Sequence, residues 1–139
     1  MKESDMQTLF SKYMRTKRPK ISAVFELKFS KKGALPFNAL KDHQIKALQE
    51  VTESGFYHKL IDPPVFANMQ TRFNAPRPFD CFYLIGVEAF VVVWFYHERK
   101  PKSFIFIPIS TWLDERDNSS RKSLTEVRAL EIGSVISII

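Results

Sequence analysis

The stretch that most limits what this chain can fold into is Ala89 to Tyr96, joined by a charged turn to Phe104 to Ile109. The first run contains Val91, Val92, Val93, Trp94 and Phe95, and the second Phe104, Ile105, Phe106 and Ile107, with no polar residue among them. A strand with one wet face alternates apolar and polar residues, whereas an unbroken apolar strand needs cover on both sides. A chain carrying two such runs must therefore place other elements above and below them. Phe79 to Ile85 is a third apolar segment, set off by Gly86, and His97 to Lys102 is the charged turn between the other two. The three read as consecutive antiparallel strands. Asp80 interrupts the earliest of them near its start, a position that suits either an edge residue or a mounted ligand.

The covering layers are also visible. From Ser4 to Met14 the residues Met6, Leu9, Phe10, Tyr13 and Met14 recur at spacings of three and four, the face of a helix that Ser4 or Asp5 can cap and Pro19 ends. Asn38 caps a second helix from about Ala39 to Ser54, closed by Gly55, with Leu40, Ala47, Leu48 and Val51 as its stripe. Phe56 to Ile61 reads as a strand that Asp62, Pro63 and Pro64 stop. Ser110 to Arg116 is one or two turns of helix. Ser123 with Glu126 makes a capping box for a last helix through Glu131, and the apolar tail from Ile132 to Ile139 either finishes the sheet or covers a partner. The expected architecture is α/β, a mixed central β-sheet flanked by helices, in one domain spanning residues 1–139.

Composition narrows the function classes. A hydrophobic content of 45% with 13 Phe supports a filled interior. The formal charge of +6, from 21 Lys and Arg against 15 Asp and Glu, suits a polyanionic partner. The single cysteine, Cys81, permits neither a disulfide framework nor a zinc cluster and fits a reducing compartment. Glu3 and Asp5 precede any apolar run, unlike a secretory signal, and Ala89 to Tyr96 is far too short to span a bilayer. A soluble, cytoplasmic protein with no membrane partner is expected. No repeat, glycine-rich phosphate loop or spaced Ser, His and Asp set is present.

Reactive side chains gather on Ile21 to Lys32. Ile21, Ala23, Phe25, Leu27 and Phe29 are apolar, while Ser22, Glu26 and Lys28 occupy even positions, the alternation of a half-buried strand. Side chains two apart point the same way, so Glu26 and Lys28 emerge together. Such a pair is either an ordinary surface ion pair or a carboxylate and ammonium able to serve a divalent cation and a nucleophilic water. Gln44 falls on the buried stripe of the second helix, four after Leu40, where its amide needs a partner: a backbone group or the site. Arg15, Lys17, Arg18 and Lys20 form a solvated linker or a phosphate-contacting loop. Lys31, Lys32 and Gly33 make a basic turn. Val65 to Pro78 is a long irregular loop carrying Gln70, Arg72, Asn74 and Arg77, either side chains that contact a nucleic-acid backbone or a plain surface excursion. Arg121 and Lys122 stand before the last helix, where the dipole disfavours cations unless an anion joins them.

Phe25, Glu26, Leu27 and Lys28, then Pro36 and Phe37, then His43, Gln44 and Ile45 resemble the core of the restriction-endonuclease-like PD-(D/E)xK nucleases, most nearly the RecU-type Holliday junction resolvases. The similarity runs from Ile21 to about Glu131 and includes Arg121, Lys122 and Ser123. It implies a restriction-endonuclease-like fold and a Mg2+- or Mn2+-dependent DNA endonuclease, acting on branched DNA as a two-fold homodimer. Such an enzyme would suit a phage or mobile element, and the cytoplasm of an infected host cell.

The chain departs from that pattern in one respect. These nucleases carry an aspartate on a strand just before the Glu-x-Lys strand, and here nothing acidic lies between Asp5 and Glu26. Hard cations want several oxygen ligands, so Asp80 is the expected replacement, delivered by a later strand beside Ile21 to Phe29. Asp62 is second choice, with Glu3 or Asp5 as outer ligands. The resemblance, with Asp80 as the replacement acid, then implies Glu26, Asp80 and the Leu27 carbonyl as metal ligands, Lys28 as the group that orients or activates the attacking water, Gln44 as the side chain that fixes that water or Lys28, and Lys31, Lys32, Arg72, Arg77, Arg121 and Lys122 on the DNA backbone.

Overall fold

A computed structural model of the protein describes residues 1–61 and 78–138. The two unbroken apolar runs become β5 (Glu88–Phe95) and β6 (Lys102–Pro108), adjacent and antiparallel at the centre of a four-stranded sheet. Outside them lie β1 (Ala23–Ser30), parallel to β5, and β8 (Ser134–Ile138), antiparallel to β6. The order is β1-β5-β6-β8, a mixed sheet with β1 at one edge. Val91, Val92, Val93, Trp94, Phe104, Ile105 and Ile107 are buried, as strands covered on both faces must be.

Each face has its own layer. Val92, Trp94, Phe104 and Phe106 meet α1 (Glu3–Lys17) through the buried Met6 and Phe10. The Phe10 ring lies edge-on to Phe25 at 5.1 Å and to Phe104 at 5.4 Å, a favoured geometry for aromatic quadrupoles. Val91, Val93, Phe95, Ile105 and Ile107 face α2 (Asp42–Thr52), α3 (Ile109–Asn118) and α4 (Glu126–Ile132), packing on Ile45, Leu48, Trp112 and Ala129. The β1 side chains divide between the layers by their period of two: Phe25, Leu27 and Phe29 join the α1 side and Val24 the α2 side. Glu26 and Lys28 share the phase of Val24.

Two short ribbons attach to this frame. β2 (Ala34–Pro36) pairs with β7 (Ser123–Thr125), and β3 (Phe56–Lys59) pairs with β4 (Cys81–Leu84). Arg128 of α4 bonds both Glu115 of α3 and Glu131, and its pKa is raised, chiefly by the bond to Glu115. His97 Nε2 lies 2.6 Å from Glu126 Oε2, linking the end of β5 to the start of α4. The tail does finish the sheet, as β8. Among the described residues no helix is long and apolar enough to cross a membrane.

Several local expectations are corrected. Phe79 to Ile85 is not the first of three consecutive sheet strands: β4 forms a separate ribbon with β3, and the strand next to β5 is β1, in parallel. A two-stranded ribbon has no layer over its outer side, so Tyr83, Cys81 and the cross-strand Tyr57 are exposed. The Tyr57 hydroxyl titrates above its ordinary value because it hydrogen-bonds Cys81. The second helix begins at Asp42, after a 3-10 turn at Phe37–Ala39. Lys41 is its N-cap, so Asn38 caps nothing. Asp5 does not cap α1 but accepts the Lys2 N–H from the first turn (2.6 Å), and Arg18 closes that helix in the left-handed region at φ 43°. Ser123 lies in β7, and Thr125 is the residue whose hydroxyl accepts the Arg128 N–H (3.3 Å). With β7 between them, Arg121 and Lys122 do not stand at the α4 N-terminus, so the helix dipole gives no reason for an anion there.

Candidate functional site

The alternation of β1 and the turn preceding α2 bring three polar side chains together. Lys28 Nζ lies 3.0 Å from Glu26 Oε1, and Gln44 Nε2 donates to that same oxygen at 2.7 Å. Lys28 Nζ also donates to Gln44 Oε1 at 3.2 Å, closing a triangle. Gln44 Oε1 accepts a further bond from the Lys41 N–H at 2.9 Å, half of a capping box. The open choice for Gln44 thus resolves on both counts: its carbonyl holds the helix start and its amide holds Glu26.

Burial makes this arrangement more than a surface pair. The Lys28 side chain is 13% exposed and that of Glu26 28%. An ammonium has three donors, and the triangle uses two. The third meets no acceptor among the described residues. Glu26 Oε2 has no partner among the described residues, so the carboxylate also keeps an acceptor face.

The main chain adds an oxygen. In a parallel ladder alternate residues turn both backbone groups to the neighbouring strand. Tyr96 N–H bonds the Ser30 carbonyl at 2.7 Å, which puts even β1 positions on the β5 side. The Leu27 carbonyl therefore points out of the open edge, between Glu26 and Lys28 in sequence. Among the described residues β5 is the only hydrogen-bonded neighbour of β1.

A cavity of about 260 Å3 opens beside the triangle, lined by Glu26, Gln44 and His43 and by Phe56, Phe82 and Leu84 of the β3–β4 ribbon. His43, part of the resemblance but given no role there, lines the cavity as well. It adjoins Gln44 in the first turn of α2. The strand that runs beside β1 is β5, so Asp80 does not arrive by that route. It stands one residue before β4, and the bond from Leu60 N–H to its carbonyl (2.8 Å) extends the ribbon ladder by that residue. The alternation of the ribbon puts position 80 in phase with Phe82 and Leu84, the two β4 residues that line the cavity. No group of three or more His, Cys, Asp or Glu able to hold a metal is found among the described residues. Glu3 and Asp5 open α1, in the layer on the other side of the sheet from Gln44.

The expected backbone-contacting cations are partly placed. Lys31 and Lys32 are exposed on a turn pinned by the buried Ser30, whose hydroxyl lies 2.7 Å from the Lys32 and Ala34 carbonyls. Arg121 and Lys122 are exposed at the other end of the β2–β7 ribbon, where the Lys122 carbonyl accepts the Phe37 N–H and, at the near end, Gly33 accepts from Glu126. The three rungs of the β2–β7 ribbon lie between the two pairs. Asp62, Gln70, Arg72, Asn74 and Arg77 lie outside the described residues. Comparison of the chain with protein-family models, with curated proteins and with solved structures finds no match.

Proposed function

We propose that the protein is a divalent-metal-dependent DNA endonuclease with a restriction-endonuclease-like fold, acting on branched DNA in the manner of a Holliday junction resolvase. The observation that carries this reading is the closed triangle of Glu26, Lys28 and Gln44. A solvated ion pair does not need a helix-borne amide to orient it, whereas a reacting centre does.

The donor set fits Mg2+ or Mn2+ in kind: Glu26 Oε2, the outward Leu27 carbonyl and, from the ribbon, Asp80 are all hard oxygens, and Mg2+ is commonly held by one or two carboxylates with water filling the rest. When bound, such an ion would polarise the scissile phosphate and lower the pKa of a water. The chain's own groups do the remainder. Gln44 fixes the Glu26 carboxylate and leaves one lone-pair face free. Lys28, held by Glu26 and Gln44, directs its third N–H outward, where it orients the attacking water or offsets charge growing on the phosphate. His43 stands where a proton could be passed to or from the cavity. Lys31, Lys32, Arg121 and Lys122 contact backbone phosphates, with Arg72 and Arg77 assigned the same role, which positions DNA without reading its sequence. Symmetric cutting of a four-way junction needs two such centres about a two-fold axis, hence a homodimer.

The test is cleavage of four-way, flap and linear DNA with Mg2+. Glu26→Ala and Lys28→Ala each abolish cleavage and leave binding in chelator nearly intact, and the four-way form is cut in preference. Cleavage surviving both substitutions ends the assignment. The lack of a converging third ligand among the described residues favours one other reading, a DNA-binding domain without catalysis. Calorimetry with Mn2+ separates the two, since that domain binds DNA and takes up no ion.

A further inference from the structure

A second cavity lies in the other layer. Its volume is about 500 Å3, against about 260 Å3 beside Glu26. Lys12 and Lys17 of α1 line one side, Lys100 of the β5–β6 connection and Lys102 at the start of β6 the other, and Tyr13 of α1 and Ile138 at the end of β8 form part of the floor. Glu26 faces α2 from the β1 edge of the sheet, while this cavity opens under α1 near the β8 edge, so one ligand cannot occupy both.

Three observations indicate what the cavity takes. Four lysines reach it from segments more than eighty residues apart, and no carboxylate lines it; Glu98, in the same turn as Lys100, is outside the lining. None of the four ammonium groups has an ion-pair partner among the described residues, although Lys28, Lys46 and Arg128 all do. Four like charges around one opening raise the local positive potential and attract an anion. The floor, by contrast, is apolar: Tyr13 and Ile138 pack on the Phe104 and Trp94 cluster, and the Tyr13 ring meets Phe104 at 6.5 Å. A cationic rim over an aromatic floor matches a phosphate joined to a flat ring. The volume falls within the range of small-ligand sites, which suits one unstacked nucleotide.

We propose that this cleft binds single-stranded nucleic acid, taking one unstacked nucleotide with its base against Tyr13 and its flanking phosphates on Lys12, Lys17, Lys100 and Lys102. Lysines tracking the backbone and one ring receiving a base are the usual elements of single-strand binding. The inference uses none of the Glu26 chemistry, and its failure would leave that chemistry standing.

The experiment is fluorescence anisotropy of a short labelled oligothymidylate in EDTA over a series of salt concentrations. Lys12→Gln/Lys100→Gln, at two exposed positions, lowers affinity about tenfold and reduces the salt slope by about 0.7 for each phosphate that no longer meets an ammonium. Tyr13→Leu weakens binding further and leaves the slope unchanged, because it removes stacking and no charge. Thermal unfolding checks that each variant is folded, and affinity for a duplex of the same length changes less than twofold with the double variant. Unaltered single-strand binding, equal losses for single strand and duplex, or a loss confined to phosphatidylserine vesicles each overturns the proposal, the last in favour of a lipid surface.

Discussion

Replacing Gln44 by alanine tests whether the triangle exists in solution. Three hydrogen bonds are at stake, and they do not weigh equally. The bond from Lys41 N–H at 2.9 Å is a helix-start bond, and losing one costs about 1 kcal/mol. The bond from Nε2 to Glu26 at 2.7 Å is charge-assisted, worth about 1.5–3 kcal/mol when fully shielded. With the Glu26 side chain 28% exposed, water takes over part of it, leaving about 1 kcal/mol. The 3.2 Å bond from Lys28 adds little, since Lys28 keeps Glu26. Alanine returns a few tenths of a kcal/mol through helix propensity. The expected loss is about 1.5–2 kcal/mol, read as a lower urea midpoint at unchanged m-value and a Tm lower by roughly 6 °C. Gln44→Glu is the companion: it keeps the Lys41 bond but sets a second carboxylate against Glu26, so it is at least as unstable as alanine near neutral pH and recovers on acidification. A Gln44→Ala protein within about 0.3 kcal/mol of the parent would mean that the amide is solvated, since even a weak buried hydrogen bond contributes more than that, and would refute the reasoning.

Two further outcomes test the frame around the site. Phe10→Ala removes a buried ring that touches Phe25, Phe104 and Phe106, and chemical denaturation should register a loss of about 3–4 kcal/mol; a loss under about 1 kcal/mol would show that α1 does not cover the sheet. Gly55 has φ +95°, and a Cβ there would run into the Tyr83 ring and hydroxyl. Gly55→Ala should therefore destabilise by more than about 1 kcal/mol and loosen the β3–β4 ribbon, visible as faster amide exchange at Phe56 to Lys59. Unchanged exchange would separate Tyr83 from that turn.

The local elements were legible because their causes are local. Val91 to Phe95 and Phe104 to Ile107 called for cover on both faces, the spacing of Met6 and Phe10 supplied one cover, and the alternation around Glu26 and Lys28 put that pair on one side. These follow from the periods of helix and strand, which act within a few residues. The pairing partners were not legible. Nothing in Phe79 to Ile85 says that it joins Phe56 to Lys59 and leaves β1 to lie parallel to β5, because an apolar segment fits any neighbour of the right length and only the α2 crossover makes the parallel choice available. Caps went astray for a related reason: Asn38, Ser123 and Asp5 are all suitable by type, but the 3-10 turn at Phe37 and the β2–β7 ribbon moved the helix starts to Lys41 and Thr125. Residue type marked Glu26, Lys28 and Gln44 as a possible constellation. Only packing α2 on the edge strand set the amide 2.7 Å from the carboxylate, since an approach between residues eighteen apart depends on how two layers meet and not on either segment alone.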